Sequence, residues 1–163
     1  MSLPDVSWPD MNRPNVNGDS TLQRQENSMR PTVYPYLRYR DAKAAVKFLT
    51  EIFGFRSVMV APGNNGGIAH AELAFGNGMV MLSDGDGGVL PMQPRGANGG
   101  DSGGIYVAVK DIDALYARVQ QAGAAIVMAL HDTDYGSRDF TCRDPEGFLW
   151  SFGTYQPDFD AKA

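Results

Sequence analysis

Two capped helices, set seventy positions apart, constrain this chain more than any other feature. Asp41 is a good helix N-cap, and Ala45, Val46, Leu49, Ile52 and Phe53 follow at helical spacing before Gly54 stops the run. Asp111 opens a second such run, with Ile112, Leu115, Val119 and Ala122 on one face and Gly123 as the stop. The flanking segments repeat as well. Residues 33–40 alternate, with Val33, Pro35, Leu37 and Tyr39 on one face and Tyr34, Tyr36 and Arg38 on the other. Strand patterns follow at residues 55–61, 68–75 and 79–83, with a hairpin turn expected at Asn77-Gly78. After Gly123 the same order returns at 125–130, 138–143 and 148–153, with a loop expected at 131–136. Ile105, Val107 and Val109, alternating with Gly104, Tyr106 and Ala108, supply the strand before the second helix. Each half therefore reads strand, helix, strand, strand, strand. In such a unit one helix covers one sheet face and leaves the other free. Two units can curl their free faces around a cleft.

The last hairpin is the sharpest local signal. Asp144-Pro145-Glu146-Gly147 is a tight-turn sequence, because proline pre-sets φ and glycine accepts the positive φ that side chains resist. Phe148, Trp150 and Phe152 then alternate on one face and read as core beneath the helices.

Composition narrows the partners. The net charge is −5, with no cluster of lysine and arginine, which argues against nucleic acid and anionic membranes. Cationic or neutral small ligands suit it better. The single cysteine, Cys142, excludes an internal disulfide and fits a reducing compartment. The longest apolar run, 124–130, is far short of a membrane span, and Pro4, Asp5 and Pro9 stand where a signal peptide would need a basic and then an apolar region. The expectation is a soluble, cytoplasmic protein. Residues 1–30 are polar and broken by Pro4, Pro9 and Pro14; they read as an extended N-terminal arm with Trp8 and Met11 as anchors. The globular part is expected over 31–157: a first module at 33–84, a glycine-rich linker or lid at 85–103, and a second module at 104–155.

Five motifs now align with one family. They are Leu-Arg-Tyr-Arg-Asp-Ala at 37–42 with Phe-Leu-Thr-Glu-Ile-Phe-Gly-Phe at 48–55, His-Ala-Glu-Leu at 70–73, Val-Lys-Asp-Ile-Asp-Ala-Leu at 109–115, Gly123, and Asp-Pro-Glu-Gly-Phe-Leu-Trp at 144–150. In that order the chain resembles the vicinal oxygen chelate superfamily of glyoxalase I, bleomycin-resistance proteins, fosfomycin-resistance enzymes and extradiol dioxygenases. The resemblance implies an α+β fold, two βαβββ modules forming paired curved mixed sheets around a cleft, completed as a homodimer. It also implies four metal-ligand positions, Tyr34, Glu72, Gly104 and Ser151. Only Glu72 is a usual ligand type there, so the likeness is nearest to the metal-free, bleomycin-resistance-like members. No cofactor is expected on that reading; a divalent metal is the alternative.

Several residues face more than one role. His70 and Glu72 share a strand face, as a ligand contact, an acid–base pair, a metal-binding pair or a plain polar pair. Tyr34, Tyr36, Arg38 and Tyr106 suit a flat, partly polar ligand wall, with Arg38 orienting an anion, and equally suit interface packing. Arg138 reads as a cleft-mouth cation for a carboxylate or phosphate, or as an exposed strand start. Ser151 joins them by position. Cys142 has no base near it in spacing and reads as buried. No phosphate-binding glycine loop occurs. The function expected is small-molecule binding in a cleft without metal; the alternative is a metal-dependent lyase, isomerase or dioxygenase using Glu72.

Overall fold

The computed structural model describes residues 31–84 and 103–158; the expected arm at 1–30 and the linker at 85–102 lie outside the described residues. Strands β1 (Tyr36–Tyr39), β2 (Arg56–Pro62), β3 (Ile68–Phe75) and β4 (Gly78–Asp84) form one sheet in the order β1-β4-β3-β2. Strands β5 (Ile105–Ala108), β6 (Ala125–Asp132), β7 (Arg138–Arg143) and β8 (Leu149–Gly153) form a second in the order β5-β8-β7-β6. The two orders are the same, so the repeat read from caps and spacing is a repeat of topology. In each sheet the first strand runs parallel to the last, and the other pairs are antiparallel. Both parallel pairs are bridged by a helix, as parallel neighbours require.

Helix α1 (Ala42–Phe48) starts where Asp41 accepts a hydrogen bond from Ala44 N at 2.9 Å. It does not continue as regular helix. Leu49–Phe53 is a π-helical turn, and Thr50 Oγ1 donates to the carbonyl of Val46 at 2.8 Å, a side-chain bond added at the start of the widened turn. Leu49 and Phe53 are both buried, and Gly54 ends the segment at φ 87°. Helix α2 (Ile112–Gln121) is capped by Asp111 through Ala114 N at 3.1 Å and buries Ile112, Leu115 and Val119. No helix among the described residues is long and apolar enough to cross a membrane.

Three of the boundary differences from the sequence reading have a clear physical reason. The first strand is only Tyr36–Tyr39, not 33–40, because Pro31 and Pro35 have no N–H to give a ladder; Pro35 contributes only its carbonyl, to Met81 N at 2.8 Å. The turn between β3 and β4 is centred on Gly76-Asn77, with Gly76 at φ 56° and Phe75 paired with Gly78. Asn77-Gly78 is thus one residue late, and Gly78 opens β4. The third is β6, which runs on through His131 to Asp132, where a loop was expected; His131 pairs with Asp139.

One core joins the modules. It lies on the helix sides of the sheets and includes Leu37, Tyr39, Leu49, Phe53, Leu73, Leu82, Val107, Val119, Phe140, Trp150 and Phe152. Phe53 of the first module meets Trp150 and Phe152 of the second at ring-centroid distances of 5.4 and 4.9 Å. Phe55 meets Trp150 at 5.6 Å. Edge-on ring packing of this kind adds to the area buried. Of the expected set, Trp150 and Phe152 are wholly buried, and Phe140 joins them, while Phe148 is only half-buried against the same core.

The Asp-Pro-Glu-Gly turn locks this junction. Gly147 takes φ 90° and donates to the Asp144 carbonyl at 2.9 Å. The buried Asp144 carboxylate accepts four hydrogen bonds: from Glu146 N and Phe148 N, both at 3.0 Å, from Trp150 Nε1 at 3.1 Å, and from the Tyr39 hydroxyl at 2.6 Å. Burial pushes this carboxyl above the usual carboxylate range while those donors pull it back. Burial and the adjacent carboxylate push the Tyr39 phenol far upward, so it stays a donor. Glu146 accepts from Arg40 N at 2.9 Å and Asp41 N at 2.8 Å, placing an anion at the start of α1. Asp144→Ala should leave two buried side-chain donors unmet and cost about 3 kcal/mol in denaturant unfolding. Tyr39→Phe should cost about 1.5 kcal/mol and not add to it. An Asp144→Ala loss below about 1 kcal/mol would remove the turn from this role.

Cys142 is wholly buried, and burial followed by the nearby Asp144 charge pushes its thiol up to about 12. The native thiol should therefore resist Ellman's reagent at pH 8 and react only on unfolding. The sign of the linkage follows. Above about pH 8.5 the unfolded thiol ionises while the folded one does not, so stability falls as pH rises through that window. Fast reaction of folded protein at pH 8 would contradict the burial.

Candidate functional site

The sheet faces turned away from the helices carry the polar side chains. Register explains which ones meet. In the first sheet Arg38 pairs with Ser83, Glu72 with Met81, Met59 with Glu72, and Ala61 with His70. Residues two apart on a strand share a face, so Tyr36, Arg38, His70, Glu72, Met81 and Ser83 lie together. Their contacts form a continuous run. The Tyr36 hydroxyl donates to Ser83 Oγ at 2.8 Å, and Arg38 Nη1 donates to the same oxygen at 2.7 Å. The Tyr36 ring stacks near-parallel to His70, centroids 6.2 Å apart at 17°. His70 Nε2 stands 3.3 Å from Glu72 Oε1. Arg38 is only 4% exposed, a cation held beneath this face. The face offers a flat aromatic pair, one carboxylate and one oriented guanidinium.

The second sheet repeats the layout with other groups. Tyr106 pairs with Ser151, and Ser151 with Thr141. Thr141 Oγ1 and Ser151 Oγ are 2.9 Å apart. Asp139 and Gly153 pair at the far end of the same face. Gly153 has a close-approach role: a Cβ there would collide with Asp139 Oδ1 and with the Tyr106 hydroxyl. Ser137 Oγ donates to Asp139 Oδ1, and the Tyr135 hydroxyl donates to Asp139 Oδ2 at 2.9 Å. Burial raises the Tyr106 phenol, and the hydrogen bond to Asp139 raises that of Tyr135. Both stay neutral donors at physiological pH.

The expected site residues divide by face. Tyr36, Arg38, His70 and Glu72 come together on the first sheet, and Tyr106 with Ser151 on the second. Tyr34 precedes β1 and is half-buried; Gly104 precedes β5 and is exposed. Arg138 is not brought to them. Its Nη2 donates to Asp113 Oδ1 and its Nη1 to Asp132 Oδ1, both at 2.9 Å. Its alternation neighbour Asp139 takes the polar face, so the strand phase that sends Asp139 to the cleft side sends Arg138 toward α2. Ser83, Thr141 and Asp139 were missed. For Asp139 and Thr141 the signal existed, since they alternate with the apolar Phe140 and Cys142; Ser83 comes in only through its register with Arg38.

The four metal positions that the resemblance implied were Tyr34, Glu72, Gly104 and Ser151, although by register the counterpart of Ser151 in the first sheet is Met81, which pairs with Tyr36 as Ser151 pairs with Tyr106. Those four are one carboxylate, one phenol, one hydroxyl already engaged with Thr141, and one residue with no side chain. A divalent ion needs three or more good protein donors, so this donor set does not fit one. Among the described residues no group of three His, Cys, Asp or Glu side chains is gathered to hold a metal.

Gly153→Ala should displace the Asp139 carboxylate and the Tyr106 hydroxyl and cost about 2 kcal/mol in thermal or denaturant unfolding. A variant as stable as the parent, with unchanged tyrosine fluorescence, would mean that the close approach does not exist.

Comparison with known proteins agrees with this geometry. Residues 31–152 match the family model described as Glyoxalase/Bleomycin resistance protein/Dioxygenase superfamily. An uncharacterized protein of Mycobacterium tuberculosis is 34% identical over 132 residues, covering 77% of this chain and 75% of its own. The crystal structure of TioX from Micromonospora sp. ML1 is similar at 35% identity and a TM-score of 0.60, over 74% of this chain and 97% of that one. The fosfomycin resistance protein FosX from Mesorhizobium loti shares the fold at 14% identity and a TM-score of 0.57, over 77% of this chain and 92% of its own. With its repeated four-stranded sheets, its Asp-Pro-Glu-Gly hairpin and this match, the chain belongs to the glyoxalase/bleomycin resistance protein/dioxygenase superfamily.

Proposed function

We propose that this chain is a cytoplasmic small-molecule binding protein that works without a divalent metal, and that it completes its cleft as a homodimer. The observation that carries the reading is the face of the first sheet. Tyr36, Ser83, Arg38, His70 and Glu72 form a connected run of flat and hydrogen-bonding groups, while the family ligand positions hold a single carboxylate. A ligand with an aromatic body would lie along the Tyr36–His70 pair, with polar substituents directed to Glu72 and Arg38. The second sheet's face, with Tyr106, Thr141 and Ser151, would close the cleft from a second copy. The contacts that join the two modules within one chain come instead from the helix side, at Phe53, Trp150 and Phe152.

A second reading rests on the 3.3 Å approach of His70 to Glu72. Such a pair supports acid–base chemistry, and with residues beyond the four family positions it would support a metal-dependent lyase, isomerase or dioxygenase of the glyoxalase type.

Calorimetric titration of metal-stripped protein with Ni²⁺, Zn²⁺, Mn²⁺ and Fe²⁺ separates them, with Glu72→Ala as control. The expected result is no binding that depends on Glu72. Tight, stoichiometric binding that disappears in Glu72→Ala would overturn the metal-free reading and favour the second. Sedimentation velocity on the same samples should show a dimer; a monomer at micromolar concentration would leave the cleft without its second wall.

A further inference from the structure

The second sheet carries a feature that the cleft reading uses only through Tyr106. Three tyrosines with open rings gather near one carboxylate, Asp139: Tyr106 is 40% exposed, Tyr135 62% and Tyr155 49%, with the Tyr135 hydroxyl donating to Asp139 and Tyr155 joined to it through Ser137. The Tyr135 and Tyr155 rings stand at 83° to one another with centroids 6.0 Å apart, making a corner. Tyr106 is pinned beside them, its hydroxyl donating to the Tyr155 carbonyl at 2.9 Å. Gly153 lets the Tyr106 hydroxyl and the Asp139 carboxylate close over the same stretch of strand. The backbone is held as well. Ser137 Oγ accepts from Tyr155 N at 2.9 Å, and Thr154 Oγ1 accepts from Arg138 N at 3.0 Å. The cluster is therefore a fixed arrangement in which each wall has its own anchor.

Among the described residues no lysine, arginine or histidine makes an ion pair with Asp139, and the adjacent Arg138 is taken by Asp113 and Asp132. The two oxygens of Asp139 already accept from Ser137 and Tyr135 hydroxyls. That leaves about two of the carboxylate's four lone pairs for a primary ammonium, which has three N–H donors. A quaternary ammonium has no N–H and needs none. It is held by the charge of the carboxylate and by the negative faces of aromatic rings.

We propose that Asp139 with Tyr106, Tyr135 and Tyr155 is a binding site for a quaternary ammonium group. It lies within one module of one chain, so it does not require the dimer. It deepens the cleft reading by naming the charge and type of one ligand group, and rests on that reading only for the remainder of the ligand.

The test is titration of the full-length protein with choline, followed by NMR line shifts or calorimetry, beside its uncharged isostere 3,3-dimethylbutan-1-ol. Choline should bind, and the alcohol should bind at least about tenfold more weakly. Asp139→Asn and, separately, Tyr155→Leu should each weaken choline about tenfold, while Glu51→Gln, at an exposed carboxylate on neither sheet face, leaves it unchanged; Glu72→Ala is measured beside them, and melting curves confirm that each variant is folded. Equal binding of choline and the alcohol, no choline binding, or loss in Glu72→Ala with none in Asp139→Asn would each overturn this site. The last of these would place the cation on the first sheet and leave the cleft reading standing. Loss of the cleft reading through Glu72-dependent metal binding would leave choline binding at Asp139 unaffected.

Discussion

The Asp144 carboxylate is the interaction on which the arrangement of the two modules depends. It sits at the end of β7, inside the turn that reverses the chain, and reaches both the indole of Trp150 and the hydroxyl of Tyr39. Trp150 is the floor of the shared core and Tyr39 ends the first strand. One buried acid thus ties a local turn to a strand more than a hundred residues earlier. A buried carboxylate is costly unless its lone pairs are met. Here four donors meet them, so the cost is offset only when both modules are in place. Glu146, on the same turn, holds the backbone at Arg40 and Asp41 where α1 begins. The hairpin therefore organises its own sheet and the start of the other module's helix together.

Packing follows from that junction. The π-helical turn carries Phe53 to Trp150 and Phe152, and the helix sides of the two sheets share one core. Strand alternation then settles the rest. Leu37, Tyr39, Leu73, Leu82, Phe140 and Phe152 go inward, and the residues between them go outward. The site is the other half of the same alternation: a polar face exists because its opposite face is apolar. The repeat makes two such faces, and divergence between them gives each its character. Tyr36 and Tyr106 occupy equivalent places, yet one joins a guanidinium and an imidazole–carboxylate pair, and the other joins a carboxylate ringed by tyrosines.

Much of this was legible in the residues. Asp41 with Gly54 and Asp111 with Gly123 mark both helices, because caps and stops act on neighbours a few residues away. Asp144 to Gly147 marks the last hairpin for the same reason. His70 and Glu72 were legible as a pair, since period-two geometry is local. The misses have a common cause. The turn at Gly76-Asn77 depends on register between β3 and β4, not on the Asn-Gly dipeptide alone. The extension of β6 through His131 depends on its pairing with Asp139. Arg138 was misplaced because the choice between neighbours is one of phase: its strand sends Asp139, not Arg138, to the polar face.

By itself the sequence determined the repeat, the fold class and the inward direction of Trp150 and Phe152. These follow from side-chain identity, periodicity and turn chemistry, which act over a few residues. Only the tertiary structure decided that Ser83 would bridge Tyr36 and Arg38, that Arg138 would turn to Asp113, and that Asp139 would stand among three open tyrosines. Those outcomes depend on which strands pair and in what register, and the pairing energy comes from residues far apart in the chain.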